Sequence, residues 1–366
     1  MALNPPPEFY MHRALELALQ GQYTARPNPM VGAVLVNKDG EIIGEGAHLR
    51  TGEPHAEIHA LKQAGEKARG STCYVTLEPC CHWGRTGPCV DALIQAGVSQ
   101  VVFAMQDPNP QVNGQSISKL KDAGIQVSYG LLEQEARNLN PGFISRMIRK
   151  RPYVRAKIAA SLDGRTALSN GKSQWITGKE ARQDVQYLRA RSSGIISGSG
   201  TVKVDNPSLT VRQNDWPEKY LLDIKQPVRI ICDSEFKINK NFNLNLKLYE
   251  TKSPVWIAHA NPNKKAEPEG IYLPNKNNQV DLEGLINWCY EQELPEILIE
   301  AGNILTGAFL EKNLIDEIWI YLAPCFFGQD ARAMVNLSLL NSLENIKRWQ
   351  IQSVKMIGQD IRIILI

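Results

Sequence analysis

No apolar run in this chain approaches the roughly 20 residues needed to cross a bilayer, which sets membrane roles aside. Blocks of one charge are missing too. The 41 basic and 38 acidic residues are dispersed and leave a net charge of +3, so the concentrated basic face that nucleic-acid binding requires is absent. Seven cysteines, an odd number at irregular spacing, offer no disulfide framework. The start Met1-Ala2-Leu3-Asn4-Pro5-Pro6-Pro7 has neither a charged nor an apolar leader region, so a cytoplasmic protein with reduced thiols is expected. There is no short-period repeat and no low-complexity tract. No G-x-G-x-x-G opens the second half, and Gly302-Asn303-Ile304-Leu305-Thr306-Gly307-Ala308 lacks the lysine of a P-loop.

What is present is enough for two cores: 366 residues, 43% of them apolar. Periodicity predicts a helix over 8–20, a hairpin of 30–36 and 41–46 around Asp39-Gly40, and a helix over 55–67. Strands at 73–77, 100–104 and 125–129 then alternate with helices at 90–96, up to about 123, and at 133–147. The pattern restarts after Arg149-Lys150-Arg151-Pro152, with strands at 153–160, 194–197, 228–232, 255–259, 296–299 and 317–322 and a helix at 179–191. Alternation of this kind predicts an α/β class in both halves, with domains at 1–148 and 149–366.

The chemistry is concentrated in the first half. His55-Ala56-Glu57 opens a predicted helix, and Pro79-Cys80 and Cys89 follow a strand. One imidazole and two thiolates supply three ligands for a tetrahedral zinc and leave a fourth position for water, the pattern of a catalytic site. Glu57 lies outside the ligand set and suits the proton carrier of a deamination. Each of these residues alone reads as an ordinary buried cysteine or surface histidine; the grouping is what points to a metal. Cys81 and His82 are further possible ligands, and Cys80 is favoured because it follows Pro79 directly. The zinc deaminase signature pairs H-x-E with P-C-x-x-C, whereas eight residues separate Cys80 from Cys89. The insert carries His82, Arg85 and Thr86, which suit a sugar phosphate better than a bare base.

In the second half, Ser197-Gly198-Ser199-Gly200-Thr201 and the turn 302–308 each follow a strand. Backbone N–H groups at such helix starts form anion sites, although glycine turns of this kind are usually just turns.

Taken together, His55-Ala56-Glu57, Thr76-Leu77-Glu78-Pro79-Cys80, Gly84-Arg85-Thr86, Cys89 and Asn28-Pro29-x-Val31-Gly32 resemble the bifunctional deaminase/reductase of riboflavin biosynthesis. Ala159-x-Ser161-Leu162-Asp163-Gly164-Arg165, Ser173-Gln174-Trp175-Ile176-Thr177, Asp205-Asn206-Pro207-x-Leu209-Thr210-Val211-Arg212 and Glu300-Ala301-Gly302 are similar to its reductase half. The resemblance implies a cytidine-deaminase-like α/β/α domain followed by a dihydrofolate-reductase-like α/β domain. It implies zinc-dependent hydrolytic deamination of 2,5-diamino-6-(5-phosphoribosylamino)pyrimidin-4(3H)-one, then NADPH-dependent reduction of the ribosyl group of 5-amino-6-(5-phosphoribosylamino)uracil to ribityl.

By motif position the resemblance places His55, Cys80 and Cys89 on zinc and makes Glu57 the proton shuttle, with Asn28 on the pyrimidine. It turns Ala159, Trp175, Thr201, Asp205, Ser234 and the turn from Gly302 to Ala308 toward NADPH. Ser173, Arg189, Leu209, Arg212 and Glu300 would face the substrate, the two arginines forking its phosphate. Opening the sugar ring for hydride transfer needs an acid and a steadying charge, for which Lys157 and Asp205 are the candidates, supported by Glu300. Lys157 otherwise reads as a solvated strand lysine and Asp205-Asn206-Pro207 as a plain turn. The partner is then a small molecule, with no nucleic acid or membrane, and a homodimer follows by family analogy. A tRNA deaminase fused to another module would want a basic face and the two-residue cysteine gap. A zinc-stabilised sensor would want a fourth protein ligand and no Glu57.

Overall fold

The apolar run 32–36 forms a strand buried along its whole length, and the first of two sheets grows around it. A computed structural model describes residues 4–83, 87–110, 112–212, 215, 224–238, 245–339 and 341–366. The chain divides into two units, Met1–Lys150 and Arg151–Ile366.

The first unit contains α1 (Pro7–Ala18), β1 (Gly32–Val36), β2 (Ile42–Ala47), α2 (Ala56–Ala64), β3 (Thr72–Leu77), α3 (Cys89–Ala96), β4 (Gln100–Met105), α4 (Gln115–Asp122), β5 (Gln126–Tyr129), α5 (Glu133–Leu139) and α6 (Pro141–Arg149). The sheet order is β2-β1-β3-β4-β5, with β1 antiparallel to both its neighbours and β3, β4 and β5 parallel. One apolar cluster, including Met11, Leu35, Val75, Leu93 and Phe103, forms its core. Helix α2 lies unusually close to β2. A Cβ added at Gly46 would stand 2.1 Å from the carbonyl oxygen of Ala56, and one at Gly44 would stand 2.2 Å from that of Ala60. These two glycines let the backbone of the helix that carries His55 and Glu57 rest directly on the sheet.

The single helix expected over 133–147 is instead two, α5 and α6. Pro141 cannot donate a helical N–H, so it begins a new helix. Asn140 at the junction accepts from the Met30 N–H at 2.7 Å and donates to the Met30 carbonyl at 2.9 Å, tying the break to the strand entry.

The second unit contains β6 (Tyr153–Ser161), β7 (Arg165–Ala167), α7 (Lys179–Arg191), β8 (Gly194–Gly198), α8 (Ser199–Asp205), β9 (Val228–Cys232), β10 (Val255–His259), β11 (Gly270–Tyr272), α9 (Leu282–Glu291), β12 (Glu296–Ile299), α10 (Asn303–Glu311), β13 (Glu317–Ala323), β14 (Arg332–Ala333), β15 (Ile351–Ile357) and β16 (Asp360–Leu365). Nine strands run in the order β11-β10-β9-β8-β12-β6-β13-β16-β15, and β7 pairs with β14 apart from them. From β11 to β13 all pairs are parallel; β16 and β15 close the sheet antiparallel. Near the start of the parallel strands the buried Arg155 is ion-paired to both Glu296 on β12 and Glu317 on β13, fastening β6 between them. Truncating one member of such a buried network costs about 3–5 kcal/mol, because the remaining charges lose their compensation.

The strand order has one consequence for binding. The chain leaving β8 goes on to β9, whereas the chain leaving its neighbour β12 crosses to β13 on the far side of β6. Connections that diverge from adjacent parallel strands open a crevice at the carboxyl ends, where α/β sheets take their ligands.

Candidate active sites

In the first unit three elements converge. His55 is the residue immediately before α2, Cys80 lies just past β3, and Cys89 is the first residue of α3. Nδ1 of His55 is 3.2 Å from Sγ of Cys89 and 3.5 Å from Sγ of Cys80, and the Cys89 N–H points at the Cys80 sulfur at 3.3 Å. The three ligand atoms all lie within 4.8 Å of one another. One nitrogen and two sulfurs at this separation fit a tetrahedral zinc, and the two helix starts add positive potential that favours thiolates. Cys81, the neighbouring alternative, is turned toward Gln115 at 3.9 Å.

The electrostatics reflect this crowding. The Cys80 thiol is drawn down to about 4, first by its hydrogen bond with Cys89 and then by His55, against the effect of burial. Cys89 moves the other way, because its proton is held between the two sulfurs. The same contact with Cys80 raises His55. Glu57, on the first turn of α2 and 3% exposed, is raised by burial, which suits a carboxyl that must both take and give a proton.

Two side chains to which the sequence assigned no role complete this region. The buried His48, just past β2, sits edge-on to the His55 ring with centroids 5.2 Å apart, and Nδ2 of Asn28 lies 3.1 Å from its Nε2. A lone histidine at no motif spacing gave no sign of this. Glu78 is buried and accepts from the N–H groups of Asp107 and Gly114 and from the Ser116 hydroxyl, holding these three residues together. His82 is half-buried, and its Nδ1 has no hydrogen-bond partner among the described residues. Arg85 and Thr86 lie outside the described residues.

In the second unit the two glycine turns meet. A Cβ at Gly302 would come within 3.8 Å of Oγ1 of Thr201, and one at Gly198 within 3.6 Å of Cδ2 of Leu305. They flank the β8/β12 crevice, and α10 begins at an uncapped Gly302. Paired helix starts at a divergence point fit the pyrophosphate of a dinucleotide. Ala159 on β6, Thr201 in the first turn of α8 and Ser234 two residues past β9 are half-buried, and Trp175 is exposed with the Arg182 guanidinium 4.7 Å from its ring centre. Within the turn, Asn303, Ile304 and Leu305 are at least partly accessible, and Ala308 is half-buried.

The remaining expected site residues are more enclosed. Thr306 and Gly307 are buried; a Cβ at Gly307 would stand 1.9 Å from the Asn336 carbonyl oxygen, so the side-chain positions of both face the protein. Leu209 is 2% exposed and packs in an apolar cluster, at a left-handed φ of 51°. The two arginines expected to fork a phosphate are both already paired. Arg189 donates to both oxygens of Glu300 at 2.6 and 2.9 Å and to the Thr210 carbonyl at 3.0 Å, and Arg212 meets Asp215 at 2.5 Å. Glu300 also has Nζ of Lys157 at 3.5 Å, and Ser173 donates to Asp205 at 2.8 Å.

A zinc deaminase domain followed by a nucleotide-dependent reductase domain is the class of protein that these two units define. Comparison agrees in both halves: residues 6–105 match the cytidine and deoxycytidylate deaminase zinc-binding region, and residues 152–363 match the RibD C-terminal domain. The riboflavin biosynthesis protein RibD of Escherichia coli (strain K12) is 46% identical over 362 residues, 97% of each chain. A solved structure of Acinetobacter baumannii RibD covers 98% of both chains with a TM-score of 0.88 at 43% identity. A Thermotoga maritima structure described as a diaminohydroxyphosphoribosylaminopyrimidine deaminase/5-amino-6-(5-phosphoribosylamino)uracil reductase covers 98% of this chain and 97% of its own, with a TM-score of 0.86 at 33% identity. The chain belongs to the RibD family, the bifunctional deaminase/reductases of riboflavin biosynthesis, with a cytidine-deaminase-like first domain, a dihydrofolate-reductase-like second domain, and zinc and NADPH as cofactors.

Proposed function

We propose that the first unit removes the 2-amino group of 2,5-diamino-6-(5-phosphoribosylamino)pyrimidin-4(3H)-one as ammonia, and that the second reduces the ribosyl group of the resulting uracil to ribityl. The observation that carries the first step is the convergence of His55, Cys80 and Cys89 beside the buried Glu57. These three side chains hold the zinc, which when bound makes water acidic near neutral pH. Glu57 takes the proton that the attacking water loses and passes it to the departing amino nitrogen. Asn28 holds the edge of the pyrimidine. His82 is on the side of the ribose phosphate, a role the sequence also gives to Arg85 and Thr86, which lie outside the described residues.

For the second step, NADPH supplies the hydride. Thr201 and the turn from Gly302 to Ala308 would hold its pyrophosphate, and Ala159, Trp175, Asp205 and Ser234 would hold the rest of the cofactor. Lys157 and Asp205 carry the charge and the proton that opening the sugar ring demands. Ser173, Arg189, Leu209, Arg212 and Glu300 form the substrate side, and Glu300 also places Lys157. Metal analysis of the purified protein, combined with an assay of ammonia release followed by NADPH oxidation, tests the whole reading. A zinc-free protein that deaminates, or NADPH consumption before any ammonia appears, overturns it.

We further propose a homodimer acting in the cytoplasm. None of the seven cysteines is joined in a disulfide, which suits a reducing compartment. Strand β15 is the outermost of its sheet and exposes Ile351, Val354 and Met356, an edge that a second copy would cover. Light scattering giving a monomer mass at micromolar concentration rejects the dimer.

A further inference from the structure

His48 connects two parts of the deaminase site that are separate in sequence. Its backbone N–H continues the β1/β2 ladder by donating to the Val31 carbonyl at 2.9 Å, so the base of the side chain is fixed. The ring is 2% exposed and spans from Asn28 to the loop before α2: Nε2 is 3.1 Å from Nδ2 of Asn28, and Nδ1 is 3.3 Å from the carbonyl oxygen of Pro54, the residue before His55.

The chemistry of these contacts settles which atoms carry hydrogens. The Pro54 oxygen can only accept, so Nδ1 of His48 bears the proton. In the neutral ring Nε2 is then an acceptor, and the atom of Asn28 facing it must be the amide nitrogen. Reversing the Asn28 amide would set two lone pairs against each other. The amide is therefore held with Nδ2 toward His48, and Oδ1 is its remaining polar face.

We propose that His48 is a positioning residue of the deaminase: it locks the Asn28 amide so that Oδ1, an acceptor, is presented to an N–H of the pyrimidine. This rests on the reading of Asn28 as a pyrimidine contact given above. A rotatable amide would offer donor and acceptor alike, and could not distinguish a ring bearing N–H from one bearing a bare nitrogen at that edge. The locked amide makes the distinction without cost at the moment of binding, since the Asn28 rotamer is already chosen.

The test uses the full-length enzyme with His48→Phe, His48→Gln, Asn28→Ala and the His48→Phe/Asn28→Ala double variant. His48→Phe is expected to raise KM for the diaminopyrimidine about tenfold with kcat changed far less. Zinc content, and NADPH-dependent reduction of already deaminated substrate, should stay at parental levels. His48→Gln, whose Oε1 can accept from Asn28, should recover most of the lost affinity. The double variant should be no weaker than Asn28→Ala alone, because the two side chains act as one unit. A parental KM in His48→Phe, loss of zinc from it, or effects that simply add in the double variant overturn the proposal. Should Asn28→Ala itself leave KM unchanged, the failure lies in the assignment of Asn28; a raised KM there beside an unaffected His48→Phe sinks the positioning role alone.

Discussion

Nζ of Lys157 stands 3.5 Å from Oε2 of Glu300, a carboxylate that Arg189 already grips through both oxygens. Glu300 follows β12 and Lys157 lies on β6, its direct neighbour in the sheet, so these two charges are brought together by strand register. Arg189 reaches them from α7 and ties the same carboxylate to the Thr210 carbonyl. The lysine amine is thus held in place by a buried anion that cannot move away.

If Lys157 steadies charge on the opening sugar, Lys157→Met should lower NADPH-dependent reduction by at least about 10²-fold, the usual cost of losing one preorganised electrostatic group. Ammonia release should be untouched. Unimpaired reduction in a coupled spectrophotometric assay would remove this lysine from the reaction.

Glu300 also sets an acid limit. Burial alone would raise it, but the Arg189 charge, followed by that of Lys157, overrides burial and brings the carboxyl from 4.5 to about 2. Because its folded value is depressed, the stability it contributes is present above about 4.5 and is lost as pH falls toward about 2. Urea midpoints of the second unit, followed across that window, should fall with acid in the parent and more shallowly in Glu300→Gln. Parallel slopes in the two proteins would dissociate Glu300 from acid sensitivity.

Zinc removal should separate the two activities. Chelation is expected to abolish ammonia release while sparing reduction of deaminated substrate, with recovery on adding zinc back. Glu57→Gln should retain the metal and still lose at least about 10²-fold in deamination, the lower range for a positioned proton carrier. Metal analysis with an ammonia assay checks both, and near-normal turnover in Glu57→Gln would exclude the shuttle.

Asp205 accepts from the Ser173 hydroxyl at 2.8 Å through Oδ1. Asp205→Asn keeps an acceptor for that bond and removes only the acid, so a fall of at least about 10²-fold in NADPH oxidation with KM nearly constant is expected. Retention of turnover would assign Asp205 to holding the Ser173 loop.

The cluster of His55, Cys80 and Cys89 was legible because chemistry forces residue types into a short pattern, although Cys81 and His82 stood as alternatives until the fold turned Cys81 toward Gln115. Most of the parallel strands were legible for a similar reason, since strands such as 194–198 and 296–299 are buried on both faces and read as apolar runs. The hairpin of β15 and β16 was not, because β15 is exposed on both sides and carries no alternation. Helix α8 was hidden behind its glycines, which read as a turn. Pairing was the hardest to foresee. Nothing in the spacing of Arg189 or Arg212 says that Glu300 and Asp215 would take their guanidinium groups, and nothing near His48 says that it would find Asn28.

The position of β12 bears on how the second unit comes to be. Its neighbours β8 and β6 are both made well before it during synthesis, yet they pair only through it. Until residue 299 has emerged, the early strands border an open slot with unmatched backbone groups on each side. The first unit needs no such late arrival, since all its sheet partners lie within residues 32–129. A ribosome-bound chain would then possess a finished deaminase while its reductase still waits for a keystone, and chains truncated before that strand should aggregate rather than bind nucleotide.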